Sequence, residues 1–381
     1  MPHRRTHLQP KAIAVDAAWF EAMVVAHESF IAGRRGGARA VPRFIVAHRM
    51  GADRRVLADI DFTGADLTGS SFIGSDLSRA ALYCANLSAC DLRASKLVRA
   101  DMRGATFAGA RLAGAVLDEA DMRAAILCAA DEDFGLRRVG GAGGASLAGG
   151  SLNGAQLDDA QAFAVDFSNC SLKGVRLRNA NLKNANFTNA NLDGADFAGA
   201  RLTGVQFSGA ILTNVDVRAL CLTPKDLSGC VLDPSPAAQA RLGEIAGALE
   251  AVELWARSDG GEAAPASLDA FDLRPATDLF KGRLLAGLAA RGAVGVGLDF
   301  SGAQLMGADF EGADLRSANF TGADLRGASF RHARLSHAIF RDANLKPLQL
   351  VHGGTRPVTF AGASLEGTGL VRAPQPAPQP A

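Results

Sequence analysis

Residues 61–127 read DFTGA DLTGS SFIGS DLSRA ALYCA NLSAC DLRAS KLVRA DMRGA TFAGA RLAGA VLDEA DMRAA IL. A Leu, Phe or Met recurs at every fifth position, from Phe62, Leu67, Phe72 and Leu77 through Met102 and Phe107 to Met122 and Leu127. Two residues before nearly every one stands a small side chain, usually Ala, with Ser or Cys as substitutes. Neither the helix period of 3.6 nor the strand period of 2 generates this pattern. A strict period of five requires a backbone that turns through a fixed angle every five residues, which is the expectation of a solenoid.

Following the phase outward divides the chain. The first repeat block is expected over 57–130, followed by a Gly-rich loop or hinge over 131–151 and a second block over 152–233. The step from Leu127 to Leu152 is a multiple of five, so the interruption keeps the register and reads equally as a loop bulging from one continuous array. Pro234-Ser235-Pro236 stops the second block, with Ser235 and Pro236 placed as helix N-cap and first residue. A helical insertion is expected over 234–292. One stripe runs through Leu242, Ile245, Leu249, Val252 and Trp255, and a second helix covers Thr277 to Arg291. A third block follows over 293–346, then a partial coil or cap over 347–370 and a disordered Pro-rich tail over 371–381.

Residues 1–56 differ in kind. Ala17 to Ile31 carries apolar residues at helical spacing and is stopped by Gly33, and Val41 to Met50 reads as a second short helix. With ten Lys/Arg against four Asp/Glu, this is the markedly basic part of a chain whose formal net charge is +1. A basic, helical N-terminal cap is expected, because the open end of a solenoid exposes apolar side chains and unpaired strand edges. Binding of nucleic acid or an acidic partner is the competing reading.

The pattern A-[DN]-[LF]-x-x, repeated in phase for about 41 units, strongly resembles the pentapeptide-repeat family. His27, Phe30, Gly33, Gly37, Arg39 and Ala40 are similar to the lead-in found before the repeats of many members. The resemblance implies a β-solenoid fold, a right-handed quadrilateral β-helix with an α-helical N-terminal segment and an α-helical insertion. In it the Leu/Phe and the preceding small residue point inward, and residues twenty apart stack at roughly one strand spacing. Arg79 then shares a face with Arg99, Arg103 with Arg123, and Asp101 with Asp121, and opposite charges nearby are expected to compensate.

The residues give no sign of an enzyme. The seven His are dispersed, His332 and His337 fall on adjacent sides of a coil, and no phosphate loop, G-x-S-x-G or HExxH occurs. No catalytic, cofactor-binding or metal site is assigned, and no cofactor. Cys90, Cys170 and Cys230 occupy the small slot, as buried thiols do. Some relatives are DNA mimics that bind type II topoisomerases, a role that needs an acidic rod. Residues 61–127 hold eight Asp/Glu and seven Lys/Arg, 152–232 seven of each, and 298–346 six of each, so no block is acidic. The expectation is a non-enzymatic scaffold or protein-binding module with a protein partner. It is cytoplasmic, without membrane insertion, with nucleic acid disfavoured and homo-oligomerisation left open.

Overall fold

The computed structural model describes residues 13–128, 144–258, 266–350 and 353–370. Their repeating element is a pentad with one fixed conformation. Its first residue forms a parallel bridge; the second, the Leu/Phe, points inward; the third and fourth make a turn; the fifth, the small residue, points inward again. The fourth residue lies in the left-handed region, as at Gly64 (φ +64°), Arg79 (+58°) and Asn184 (+59°). The turn closes on itself, with Ala65 N–H donating to the Phe62 carbonyl at 2.9 Å. Asp or Asn at the first position supports it from outside: the Asp61 carboxylate accepts the Thr63 N–H at 3.1 Å, an Asx turn. That is why the repeat prefers Asp and Asn where it does.

Pentads twenty residues apart are joined by backbone hydrogen bonds. Asp66 N–H donates to the Ile45 carbonyl (2.8 Å), and the N–H groups of Leu67 and Gly69 donate forward to Asn86 and Ser88 (2.8 and 2.9 Å). Four pentads therefore complete one circuit, and the bridges run Asp61 to Ala81, Ala81 to Asp101 and Asp101 to Asp121.

The expected β-solenoid, a right-handed quadrilateral β-helix, is corrected by this geometry. The strands among the described residues are β1 (Ile13–Ala14), β2 (Ile45–Val46), β3 (Leu348–Gln349) and β4 (Thr355–Arg356), each two residues long. They make two open two-stranded sheets, and no sheet is closed or curled. The reason lies in the pentad: one residue in five bridges, and the left-handed fourth residue interrupts extended backbone before a ladder can lengthen. The arrays consist of turns joined by isolated bridges.

The chain divides into two compact units, Met1–Asp233 and Pro234–Ala381. In the first, helix α1 (Ala17–Ile31) starts at Asp16, whose carboxylate accepts the Trp19 N–H at 2.8 Å. The short helix expected over Val41 to Met50 is absent. Those residues already form pentads, with Phe44 and Arg49 in the left-handed position and Val46 bridged to Asp66. Ala47, Ala52 and Leu57 fill the inward slots. Circuits that close over residues 129–143 bridge thirty-five residues apart (Arg111 to Ser146, Ile126 to Gln161), so the array continues in register beyond them. Most of the Gly-rich loop expected over 131–151 falls outside the described residues, as does the tail over 371–381. After Val215 the pentads lose their bridges until Val231.

In the second unit α2 (Pro236–Ala240) begins at Ser235, whose hydroxyl accepts the Ala238 N–H at 3.1 Å, and α3 (Leu242–Arg257) follows. The second helix expected over Thr277 to Arg291 is a correction: Arg274–Leu279 is a 3-10 turn, and pentads occupy the rest. The array begins at Ser267, bridged to Ala289, rather than at 293. Leu279, Phe280, Leu284, Leu285 and Leu288 fit both periods, but Gly282, Gly287 and Gly292 recur every fifth residue, all with φ between +62° and +73°. Ile245, Leu249 and Val252 of α3 are buried in the same apolar cluster as Leu268, Leu273 and Phe280, so the helix caps the array's first circuit. Later, β3 and β4 form a hairpin inside a circuit that closes thirty residues apart, Ser329 to Thr359.

Candidate interaction surfaces

Among the described residues the interior is packed. From Leu57 to Leu192 the inward Leu, Phe and Met side chains are buried to 1% exposure or less. Stacked rings fill much of the remaining width, including Phe167 on Phe187 at 4.9 Å and Phe187 on Phe207 at 5.6 Å. Cys90 and Cys170 sit in small slots, and their thiols donate to the carbonyls of Leu67 (3.1 Å) and Leu147 (3.0 Å). Burial pushes both thiols up to about 12, so they are inert packing groups.

Outside, charges pair within and between circuits. The spacing Asp-x-Arg puts a guanidinium at the third position, folded back onto the carboxylate at the first: Arg93 on Asp91, Arg103 on Asp101 and Arg123 on Asp121, at 2.6–2.7 Å. Arg103 also reaches Asp121 of the next circuit at 3.7 Å, and Tyr83 lies 5.4 Å from its guanidinium. The bridged Asp101–Asp121 pair thus has the compensating cations expected of it. Arg79 and Arg99, stacked as like charges, turn to Asp59 (2.5 Å) and Glu119 (2.6 Å). The guanidiniums beside Asp91 and Asp59 hold both carboxyls below their usual range.

At the open start of the first unit, helix α1 satisfies backbone groups that have no preceding circuit. The N–H of Ala40 donates to His27 Nδ1 at 3.1 Å, which makes Nε2 the protonated nitrogen, donating to the Ala58 carbonyl at 2.8 Å. Glu28 accepts the Val56 N–H at 2.9 Å and pairs with Arg55, which also holds Glu21. Burial alone would raise the Glu28 carboxyl, but the bonds from Arg55 and Val56 bring it lower. Gly37 is required by close approach, since a Cβ there would collide with the Phe30 backbone.

Between α1 and the first pentads lies a groove of about 550 Å³ lined by Ile13, Val15, Trp19, Met23, Val41 and Ile45, with Asp16 and Arg43 among its polar residues. Its rim is apolar and open: Ile13 is 63%, Val41 49% and Trp19 45% exposed.

The matched family is "Pentapeptide repeats", over residues 60–97, 85–123, 95–131, 143–179, 180–218 and 308–346. The chain belongs to the pentapeptide-repeat family. No curated protein matches this pentapeptide-repeat chain. Among solved structures it is similar to HetL, a pentapeptide repeat protein involved in heterocyst differentiation regulation from Nostoc sp. strain PCC 7120. Identity there is 22%, over 86% of this chain and 96% of HetL, with a TM-score of 0.26. QnrB1, a plasmid-mediated fluoroquinolone resistance protein, is 17% identical over 73% of this chain and 90% of its own, TM-score 0.26. A pentapeptide repeat protein of the Arabidopsis thaliana thylakoid lumen is 26% identical over 35% and 68%, TM-score 0.20. Superpositions this poor carry no argument about shape or role.

Elsewhere on the pentapeptide-repeat chain, His332 and His337 take the left-handed positions of successive pentads and lie over Gly362 and Gly367. Among the described residues no group of three or more His, Cys, Asp or Glu is arranged to hold a metal ion. Also among them, no helix is long and apolar enough to cross a membrane. Trp255, Phe271 and Phe280 belong to the start of the second array: Phe280 is buried, Phe271 lies under Arg241 at 3.6 Å, and Trp255 packs on Gly287. Sequence reasoning missed the groove. Its signal was Trp19, which falls off the helix face made by Phe20, Val24 and His27.

Proposed function

We propose that this pentapeptide-repeat chain is a non-catalytic protein-binding scaffold whose contact surface is the groove beside α1. The carrying observation is the exposure of Ile13, Trp19 and Val41 around a concave apolar floor, on a molecule whose other charged faces are largely self-paired. Trp in a concave, partly desolvated position is the residue type that contributes most to protein contacts. Among the described residues the interior is filled by packed Leu and Phe side chains.

Binding should be measured between the purified chain and partners captured from its native lysate. Trp19→Ala is expected to weaken it by about 2 kcal/mol, whereas Arg103→Ala, three circuits along the array from the groove's Arg43, should leave it unchanged. Equal affinity for the Trp19→Ala protein would overturn this assignment.

A second reading is favoured by one observation: Arg34, Arg35, Arg49 and Arg54 have no carboxylate partner among the described residues. Unpaired guanidiniums near one end suit an acidic partner or nucleic acid. That reading requires binding that falls steeply with salt and is lost in an Arg49→Glu, Arg54→Glu variant. The DNA-mimic reading has the even charge count against it.

A further inference from the structure

Among the groups that tie α1 to the first circuit, beside the Glu28 and Glu21 pairs with Arg55 and the buried Phe20 and Val24, is one neutral imidazole. His27 is buried to 0% exposure, with both ring nitrogens committed in opposite senses, Nδ1 as acceptor from Ala40 and Nε2 as donor to Ala58. A protonated ring has two donors and no acceptor, so Nδ1–H would face the Ala40 N–H across 3.1 Å. The charged ring would also be buried, on the same face of α1 as Phe20 and Val24. From these contacts we infer that α1 is a proton-releasable cap. Protonation of His27 breaks the latch, lifts the helix from the first circuit, and uncovers the Ala40 and Val56 amides together with the floor of the groove.

The charges around the ring are mixed, and none can replace the missing acceptor. Glu28, next to it on α1, is occupied by Arg55 and the Val56 N–H. Glu21, one helical face further on, is held by the same Arg55. From the array side Arg39 opposes the charged ring and Asp59 favours it, but Asp59 is paired with Arg79. Burial pushes His27 below its ordinary value of 6.5 despite the bond to Ala58. The sign follows: the latch is at full strength above 6.5, weakens as pH falls below it, and stops weakening once pH is below the folded-state value. Between those limits opening rises by up to about tenfold per pH unit.

Native-state amide exchange of the full chain between pH 7.5 and 4 tests this, after correction for intrinsic rates. The Ala40 and Val56 amides are expected to lose protection by up to about tenfold per pH unit, while those of Leu92 and Phe107 in the array keep theirs. In His27→Gln the pH dependence at Ala40 should vanish. If Ala40 keeps full protection, if its loss parallels that of Phe107, or if His27→Gln retains the dependence, the inference is overturned. Should the variant fail to fold, imidazole nitrogen NMR of the unaltered protein decides instead. A neutral Nε2–H tautomer titrating below 6.5 supports the latch, and titration at or above 6.5 refutes it.

Discussion

At the scale of single residues, the constraint that governs this chain is the left-handed fourth position of each pentad. Arg, Asn, Asp, Ala, Ser, His, Cys, Glu and Phe occupy it besides Gly, and no Val, Ile or Thr does among the described residues. A β-branched side chain would add its own crowding to the strain of positive φ. At Ala94 (φ +54°) replacement by Gly should therefore raise unfolding free energy by about 0.5–1 kcal/mol, read by chemical denaturation. Gly114 (φ +69°) has open space around it, so Gly114→Ala isolates the backbone strain at about 1 kcal/mol. Gly287→Ala should cost more, because the Trp255 ring lies 2.8 Å from where the new methyl would stand. The inward slots obey a size rule of their own. At one pentad the order is reversed, with Gly295 in the large slot and Leu298 in the small one, and Leu315 fills the space beside Gly295. Leu298→Ala alone should cost about 2–5 kcal/mol and Gly295→Leu alone about 1–3 kcal/mol. The double variant restores the ordinary order and should recover most of the loss, a coupling that a double-mutant cycle measures directly.

At the scale of elements, the Phe stacks run through part of the core, over Phe167–Phe207 and Phe280–Phe360, and cutting one should be felt along it. Phe187 touches rings on both sides at 4.9 and 5.6 Å, so Phe187→Ala is expected to cost about 3–5 kcal/mol. Thermal melts should show it as a large fall, whereas Ala at exposed Arg99 should barely move the midpoint. The pentads were legible in residues 61–127 because Leu, Ala and Asp each report a separate demand of the same turn. The pentads over 41–55 were not, since Ala47 and Ala52 stand where Leu is usual and only the bridges to Asp66 and Ser71 declare them. Near Phe280 and Leu285 two periods coincided, and the apolar residues could not separate them; the glycines at every fifth position could. Strand content was overestimated because the period specifies where the chain turns, and says little about how long it stays extended between turns. The apolar groove was illegible for another reason: it depends on which side of α1 meets the array, a tertiary fact.

At the scale of the whole molecule, acid should act in two stages. Asp59, Asp91 and Asp196 have folded values lowered from 3.8, the first two by Arg hydrogen bonds and Asp196 chiefly by the Ala198 N–H with Arg178 beside it. Groups lowered in this way stabilise the fold fully above about pH 4 and lose that contribution as pH falls further. Cooperative loss of the arrays, followed by circular dichroism, is thus expected below pH 4, after the earlier opening at His27. A melt that declines steadily from pH 6.5 with no plateau would contradict the separation. The closures at thirty-five and thirty residues bear on something different, the way such a chain can change length. Fifteen extra residues in one circuit and ten in another leave every later bridge in phase, because both are whole numbers of pentads. Slippage in units of five then keeps inward residues inward with no repair, whereas the two extra residues of the circuit from Ser267 to Ala289 are taken up by the 3-10 turn at Arg274–Leu279. By the same arithmetic, excision of residues 86–105 removes one circuit and joins Ala85 to Thr106 in an unchanged phase. The shortened protein should fold, making length a property that selection can adjust like a dial while the sequence grammar stays fixed.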